Sequence, residues 1–161
     1  MNLEIENKFA IVCASSKGLG FGCAMALAEA GVNLIICSRG ENDLLKAQQK
    51  LLSFGVDVKA VVTDITSETG QSKVLEAGLG ADILVTNSGG PPPGHWSNWK
   101  KKDILDAIEG NMLTPINLIQ NILPSMIEKE WGRIINITSQ SVKAPIHALG
   151  LSNTVLTFKL K

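Results

Sequence analysis

The 161-residue sequence contains no tyrosine, and aromatic residues of all kinds make up only 4% of it. No phenolic hydroxyl is therefore available to any reaction as a proton donor. Charge excess is also missing: fifteen Lys and Arg balance fifteen Asp and Glu. A nucleic-acid or anionic-membrane surface needs a basic excess, so no nucleic-acid partner is expected. No apolar run reaches the length of a membrane span, and the opening "MNLEIENK" lacks the charged, apolar and small-residue order of a secretory leader. A cytoplasmic location without membrane attachment is expected. Cysteine is scarce, and Cys13, Cys23 and Cys37 show no metal-ligand spacing. Their apolar surroundings point to buried reduced thiols rather than a disulfide or a zinc site, and no metal is expected.

What is present reads as one ordinary globular domain, 1–161. Apolar residues make up 45% and charged residues 19%, and the length supports one core but not comfortably two. Short runs rich in Val, Ile and Leu fall at 9–13, 33–37, 56–63, 82–86 and 133–137. Several are continuous rather than alternating, which suits parallel strands covered on both faces. Helical patterns lie between them at 20–30, 41–54, 67–77 and 103–126. Gly31 and Gly55 follow the first two as left-handed caps, Gly70 weakens the third, and Pro115 should start a new turn in the last or kink it. The alternation predicts an α/β fold, a Rossmann-type doubly wound parallel sheet of about five strands. "GGPPPGH" (89–95) is the one stiff loop, and it follows a strand, where ligands collect in such sheets.

The stretch "IVCASSKGLGFG" (11–22) runs from a strand through alternating glycines into a helix. Gly18 and Gly20 allow a close backbone approach to an anion, and the helix start directs free N–H groups at it. Gly22 is expected to let the helix pack tightly on the sheet. A plain strand-to-helix turn fits the same residues, because a short glycine motif is a weak signal. The second strand ends "IICSRGEN", with Ser38 and Arg39 where an NAD site usually places an acid; Glu41 is the nearest one. Together with Lys17, these residues suit a ribose 2′-phosphate, so NADP(H) is expected in preference to NAD(H).

Taken in order, these motifs resemble the short-chain dehydrogenase/reductase family, in its 3-oxoacyl-carrier-protein-reductase-like branch. Cys13 to Gly20 correspond to T-G-x-x-x-G-x-G, with Cys-Ala in place of the leading Thr-Gly. Asp64 in "VVTDIT" matches an aspartate that contacts the adenine, "NSGG" (87–90) matches N-A-G-G, and Asn111 matches the asparagine of the long central helix. "GRIINITSQS" (132–141) places Ser139 at the catalytic serine position. The resemblance implies cofactor contacts from Ser15, Ser16, Lys17, Gly18, Leu19 and Gly20. It implies further contacts from Ser38 and Arg39, from Asp64 and Ile65, and from Asn87, Ser88 and Gly89. It also implies a small carbonyl substrate, and a homo-oligomer formed through the long helix 103–126.

In the family a tyrosine donates the proton, a lysine four residues on lowers its pKa, the serine polarises the carbonyl and the asparagine supports a water relay. Here the corresponding stretch, "ALGLSNTVL", has Leu149 and Asn153 at the tyrosine and lysine positions. Ser139 and Asn111 are the catalytic candidates that remain. Ser141, Lys143 and His147 are conceivable substitute donors, and each also reads as a solvent-facing loop residue. The chain stops at "TFKLK", partway through the family's next long helix, and is expected to be C-terminally truncated. The expected function is an NADP(H)-dependent oxidoreductase with impaired catalysis. Two alternatives stand beside it: a non-catalytic dinucleotide-binding module or hetero-oligomer subunit, and a truncated gene product without a role of its own.

Overall fold

The computed structural model describes residues 3–140, 143–144, 146 and 149–152. Strands β1 (Phe9–Val12), β2 (Asn33–Ser38), β3 (Val58–Val62), β4 (Ile83–Thr86) and β5 (Arg133–Asn136) build one sheet. Helices α1 (Gly18–Glu29), α2 (Glu41–Leu52), α3 (Glu68–Ala77), α4 (Lys101–Ile108) and α5 (Thr114–Glu128) connect them. The order is β3-β2-β1-β4-β5 and every neighbouring pair is parallel, so the chain forms the expected Rossmann-type sheet. From β1 the chain winds outward to β3, then returns to the other side of β1 as β4. The loops that leave β1 and β4 therefore part company, which opens a crevice at their carboxyl ends.

Both faces of the sheet are covered, and that is why the strands are continuously apolar. Ala10, Val12, Leu34 and Ile36 pack with Ala24 and Ala28 of α1 and Leu44 and Leu51 of α2. The alternate residues Ile11, Cys13, Ile35 and Cys37 pack on the other face with Val74 of α3 and Leu118, Ile122 and Met126 of α5. Ile11 and Ile35 are wholly buried, and each such side chain contributes about 1.5–3 kcal/mol of transfer free energy. β5 is different: among the described residues it pairs only with β4, and Arg133, Ile135 and Asn136 are exposed.

Gly31 (φ +77°) and Gly55 (φ +80°) end the first two helices in the left-handed conformation expected of them. Gly70 has a positive reason to be where helix propensity argues against it. A Cβ there would lie 1.9 Å from the Asp64 carbonyl oxygen. Ser67 completes this turn, its Oγ accepting from the Gly70 N–H (3.1 Å) and donating to the Asp64 carbonyl (2.8 Å). Gly22 corrects the sequence reading. It is exposed, a Cβ on it would meet nothing within 4 Å, and the close packing of α1 comes from Ala24 and Ala28 instead.

The segment 103–126 is not one continuous helix but breaks into two, with the new turn expected at Pro115. A π-helical turn, Glu109–Leu113, separates α4 from α5, and Pro115 sits at the start of α5. Proline has no N–H to offer the carbonyl one turn back, so the ladder is interrupted there and the chain widens. Side chains brace the widened turn. Thr114 Oγ1 donates to Glu109 Oε1 (3.3 Å), and Gln71 Nε2 of α3 donates to Thr114 Oγ1 (3.3 Å). Leu105, Leu113, Ile116, Leu123 and Ile127 are exposed along this helical pair, the surface from which the sequence predicts self-association. No described helix is long and apolar enough to cross a membrane.

The two glycines should respond oppositely to alanine. Gly22→Ala is expected to raise stability by about 0.5–1 kcal/mol, the ordinary helix-interior gain. Gly70→Ala is expected to lower it by about 1–3 kcal/mol through overpacking. Urea unfolding with an unchanged m-value measures both, and a Gly70→Ala protein as stable as the parent would contradict the packing described.

Candidate functional site

The crevice is a cleft of about 540 Å³ at the carboxyl ends of β1 to β4. Its floor is the turn from β1 into α1. Ala14 adopts φ +47° and Gly18 φ +62°; for alanine the left-handed conformation costs roughly 1–2 kcal/mol. Lys17 is extended and no side chain caps the amino end of α1, which leaves first-turn N–H groups for a ligand. Gly20 is pinned: a Cβ on it would lie 2.4 Å from the Ala14 carbonyl oxygen and 2.8 Å from Asn87 Nδ2. Asn87 Nδ2 itself donates to that carbonyl (3.3 Å), so the loop after β4 is tied to the loop after β1.

Ser15 is wholly buried. Its Oγ donates to the Val12 carbonyl (2.7 Å) and its N–H to the Cys37 carbonyl (3.0 Å), which carries the pairing of β1 and β2 one step past the strand end. The Cys37 thiol is held below the ordinary thiol range, first by its hydrogen bond with the Cys13 thiol and then by the Ala14 N–H. Burial and the Asp64 charge oppose that shift.

On the outer side of the cleft, Arg39 Nη1 lies 3.9 Å from Asp64 Oδ2, with the two side chains 76% and 42% exposed. An exposed pair at that separation is worth about 0–1 kcal/mol, too little to hold Arg39 away from a competing anion. Asp64 is fixed from its other oxygen, Oδ1 accepting from the Thr66 N–H (3.0 Å) and Thr66 Oγ1 (2.8 Å). A Cβ on Gly89 would lie 3.7 Å from Arg39 Nη2, so the guanidinium bridges the loops after β2, β3 and β4. Asp43, in the first turn of α2, also faces the cleft. Two cations, Lys17 and Arg39, thus share the lining with two carboxylates.

Of the residues singled out from sequence, Ser16, Lys17, Leu19, Ser38, Arg39, Asp64, Ile65, Asn87, Ser88 and Gly89 line the cleft. Ser15, Gly18 and Gly20 shape the turn without lining it. Asn111 is buried in the π-helical turn, beside Gly110, where a Cβ would lie 3.5 Å from Ser88 Oγ. Ser139 is half-buried in the segment that follows β5, and neither it nor Asn111 lines the cleft. Lys143 is exposed and Leu149 half-buried. Ser141, His147 and Asn153 lie outside the described residues. Sequence reasoning missed Asp43 and Thr66 and named Glu41 as the nearby acid. The available signals were the first-turn placement of Asp43, on a helix whose amino end faces the crevice, and the D-x-T spacing that sets up the Asp64 turn.

Comparison with known proteins places this geometry in a lineage. A family model described as short chain dehydrogenase matches residues 8–150. Over 144 residues the chain is 31% identical to a 3-oxoacyl-[acyl-carrier-protein] reductase of Aquifex aeolicus, covering 86% of this chain and 58% of that protein. Over 158 residues it is 30% identical to the human mitochondrial dehydrogenase/reductase SDR family member 2, covering 95% and 56%. The crystal structure of L-sorbose reductase from Gluconobacter frateurii, complexed with NADPH and L-sorbose, superposes with a TM-score of 0.92 at 25% identity, over 98% of this chain and 62% of that one. A 7α-hydroxysteroid dehydrogenase complexed with NADH gives 0.90, also at 25% identity, over 98% and 63%. The chain spans less than two thirds of the length of each of these relatives. With the family model matched from β1 to beyond β5, the chain belongs to the short-chain dehydrogenase/reductase family of oxidoreductases.

Proposed function

We propose that the cleft holds an adenine dinucleotide, NADP(H) in preference to NAD(H), and that carbonyl reduction by this chain is strongly impaired. The observation that carries the reading is the pinned turn: Gly20 against the Ala14 carbonyl, with the uncapped start of α1 above it. That contact fixes the turn, so the uncapped N–H groups at the start of α1 stand beside the Lys17 and Leu19 lining of the cleft, where a pyrophosphate could accept from them. Lys17 and Arg39 stand on either side, and no carboxylate occupies the tip of β2, where a ribose 2′-hydroxyl is ordinarily held. Arg39 reaches Asp64 only weakly, so a 2′-phosphate could draw it away. A bound nicotinamide would supply a hydride to a substrate carbonyl carbon.

The chain's own contribution to that reduction is thin. Ser139 can donate one hydrogen bond to a developing alkoxide, but no phenol is present to deliver a proton. A well-placed general acid contributes roughly 10²–10⁴-fold, or about 3–5 kcal/mol of barrier. Binding is therefore better supported than turnover.

In a fluorescence titration, NADPH is expected to bind about tenfold more tightly than NADH, a difference of about 1.4 kcal/mol. Arg39→Ala should remove most of that difference while leaving NADH affinity nearly unchanged. Equal or reversed affinities in the parent protein would count against the assignment. NADPH oxidation in the presence of a simple β-keto ester should stay at the background rate. Clear turnover that disappears in Ser139→Ala would overturn the impaired-catalysis reading.

A further inference from the structure

Two thiols stand side by side beneath the cleft, and nothing proposed above employs them. β1 and β2 pair in parallel with Val12 opposite Ile36, and Cys13 and Cys37 are the next residue of each chain segment. Cys13 and Cys37 are therefore the next pair in register. Their side chains leave the sheet on the same face, in the cluster that contains Ile11 and Ile35. Neighbouring strands lie about 4.8 Å apart, inside the Cα separation of roughly 4.4–6.8 Å that a disulfide spans. Both cysteines are buried and neither is in a disulfide, and Cys37 lies against the cleft lining. Cys23 packs against the cluster on the opposite face of the sheet, so it cannot compete within the chain.

We propose that Cys13 and Cys37 form an oxidisable pair, a modification site at which a hydroperoxide produces a reversible disulfide between β1 and β2. The Cys37 sulfur attacks one oxygen of hydrogen peroxide, the O–O bond breaks, and the other oxygen leaves as water with the thiol proton. Cys37 is then a sulfenic acid. The Cys13 sulfur attacks it, the S–S bond forms, the S–O bond breaks, and a second water departs with the Cys13 proton. Two thiols are oxidised by two electrons and one peroxide is reduced to water. The bond links the strand ends from which the loops of Ala14 and Ser38 begin, so the cleft floor carries the modification.

The test uses the full chain, treated with hydrogen peroxide in its folded state and then denatured and alkylated. Non-reduced peptide mapping is expected to find Cys13 linked to Cys37 within one chain, with the loss of both alkylation sites and their recovery after dithiothreitol. Cys13→Thr and Cys37→Ser should each abolish the link, and Cys23→Ser should leave it intact. Should a variant fail to fold, the peptide map of the parent chain decides alone. Full alkylation of Cys13 and Cys37 after oxidation, a sulfinic acid on Cys37 with Cys13 still free, or crosslinks only between chains through Cys23 would each overturn the proposal.

Discussion

The first turn of α1 lies so close to the carbonyl of Ala14 that a single methyl on Gly20 would fill the gap. The rest of the site depends on that approach. It brings the start of the helix onto the end of β1, and the Asn87 amide closes the arrangement from β4 by donating to the same carbonyl. The consecutive elements β1 and α1 and the sequence-distant end of β4 thereby meet at the place where the sheet reverses its winding. The Ala14 carbonyl can face both partners because Ala14 itself is left-handed, at φ +47°. The family's glycine would adopt that conformation without penalty, whereas alanine bears a cost of roughly 1–2 kcal/mol. The turn keeps its shape because its surroundings over-determine it: Ser15 is bonded to β1 and β2 on one side and Gly20 is wedged on the other.

The electrostatics of the cleft are balanced rather than strongly positive. Lys17 and Arg39 face Asp43 and Asp64, so a phosphate would be drawn by local geometry more than by net charge. Arg39 is the adaptable member: exposed, long, and held by Asp64 at a distance where solvent screening is strong. Asp64 is the fixed one, because Thr66 satisfies its other oxygen. The cleft thus sets one exposed, weakly held cation beside one carboxylate fixed by its own turn.

β1, β2 and β4 were legible in the sequence because both of their faces are buried, so each wrote itself as an apolar run. Strand positions and the caps at Gly31 and Gly55 followed from the same local chemistry. The break in the long helix was only half legible. Pro115 signals an interruption, but a widened π-helical turn depends on Thr114, Glu109 and Gln71, and Gln71 is distant in sequence. The roles of the glycines were legible only in part. Local pattern cannot tell Gly20, pressed against backbone, from Gly22, which faces water, since their difference is tertiary. The same limit hid Asp43, which reaches the cleft through the direction of α2 rather than through any motif. It also hid the register that makes neighbours of Cys13 and Cys37 across twenty-four positions of chain.

In the proposed function a dinucleotide sits with its phosphates on the pinned turn, and backbone amide shifts in a two-dimensional ¹⁵N NMR titration with NADPH locate it. The largest changes are expected on Gly18, Leu19, Gly20 and Arg39, with smaller ones at Ile65 and Ser88. Amides at the opposite end of the sheet, such as Glu6 and Gly31, should stay in place. Saturable shifts confined to that opposite end, or no shifts at the turn at millimolar NADPH, would contradict it.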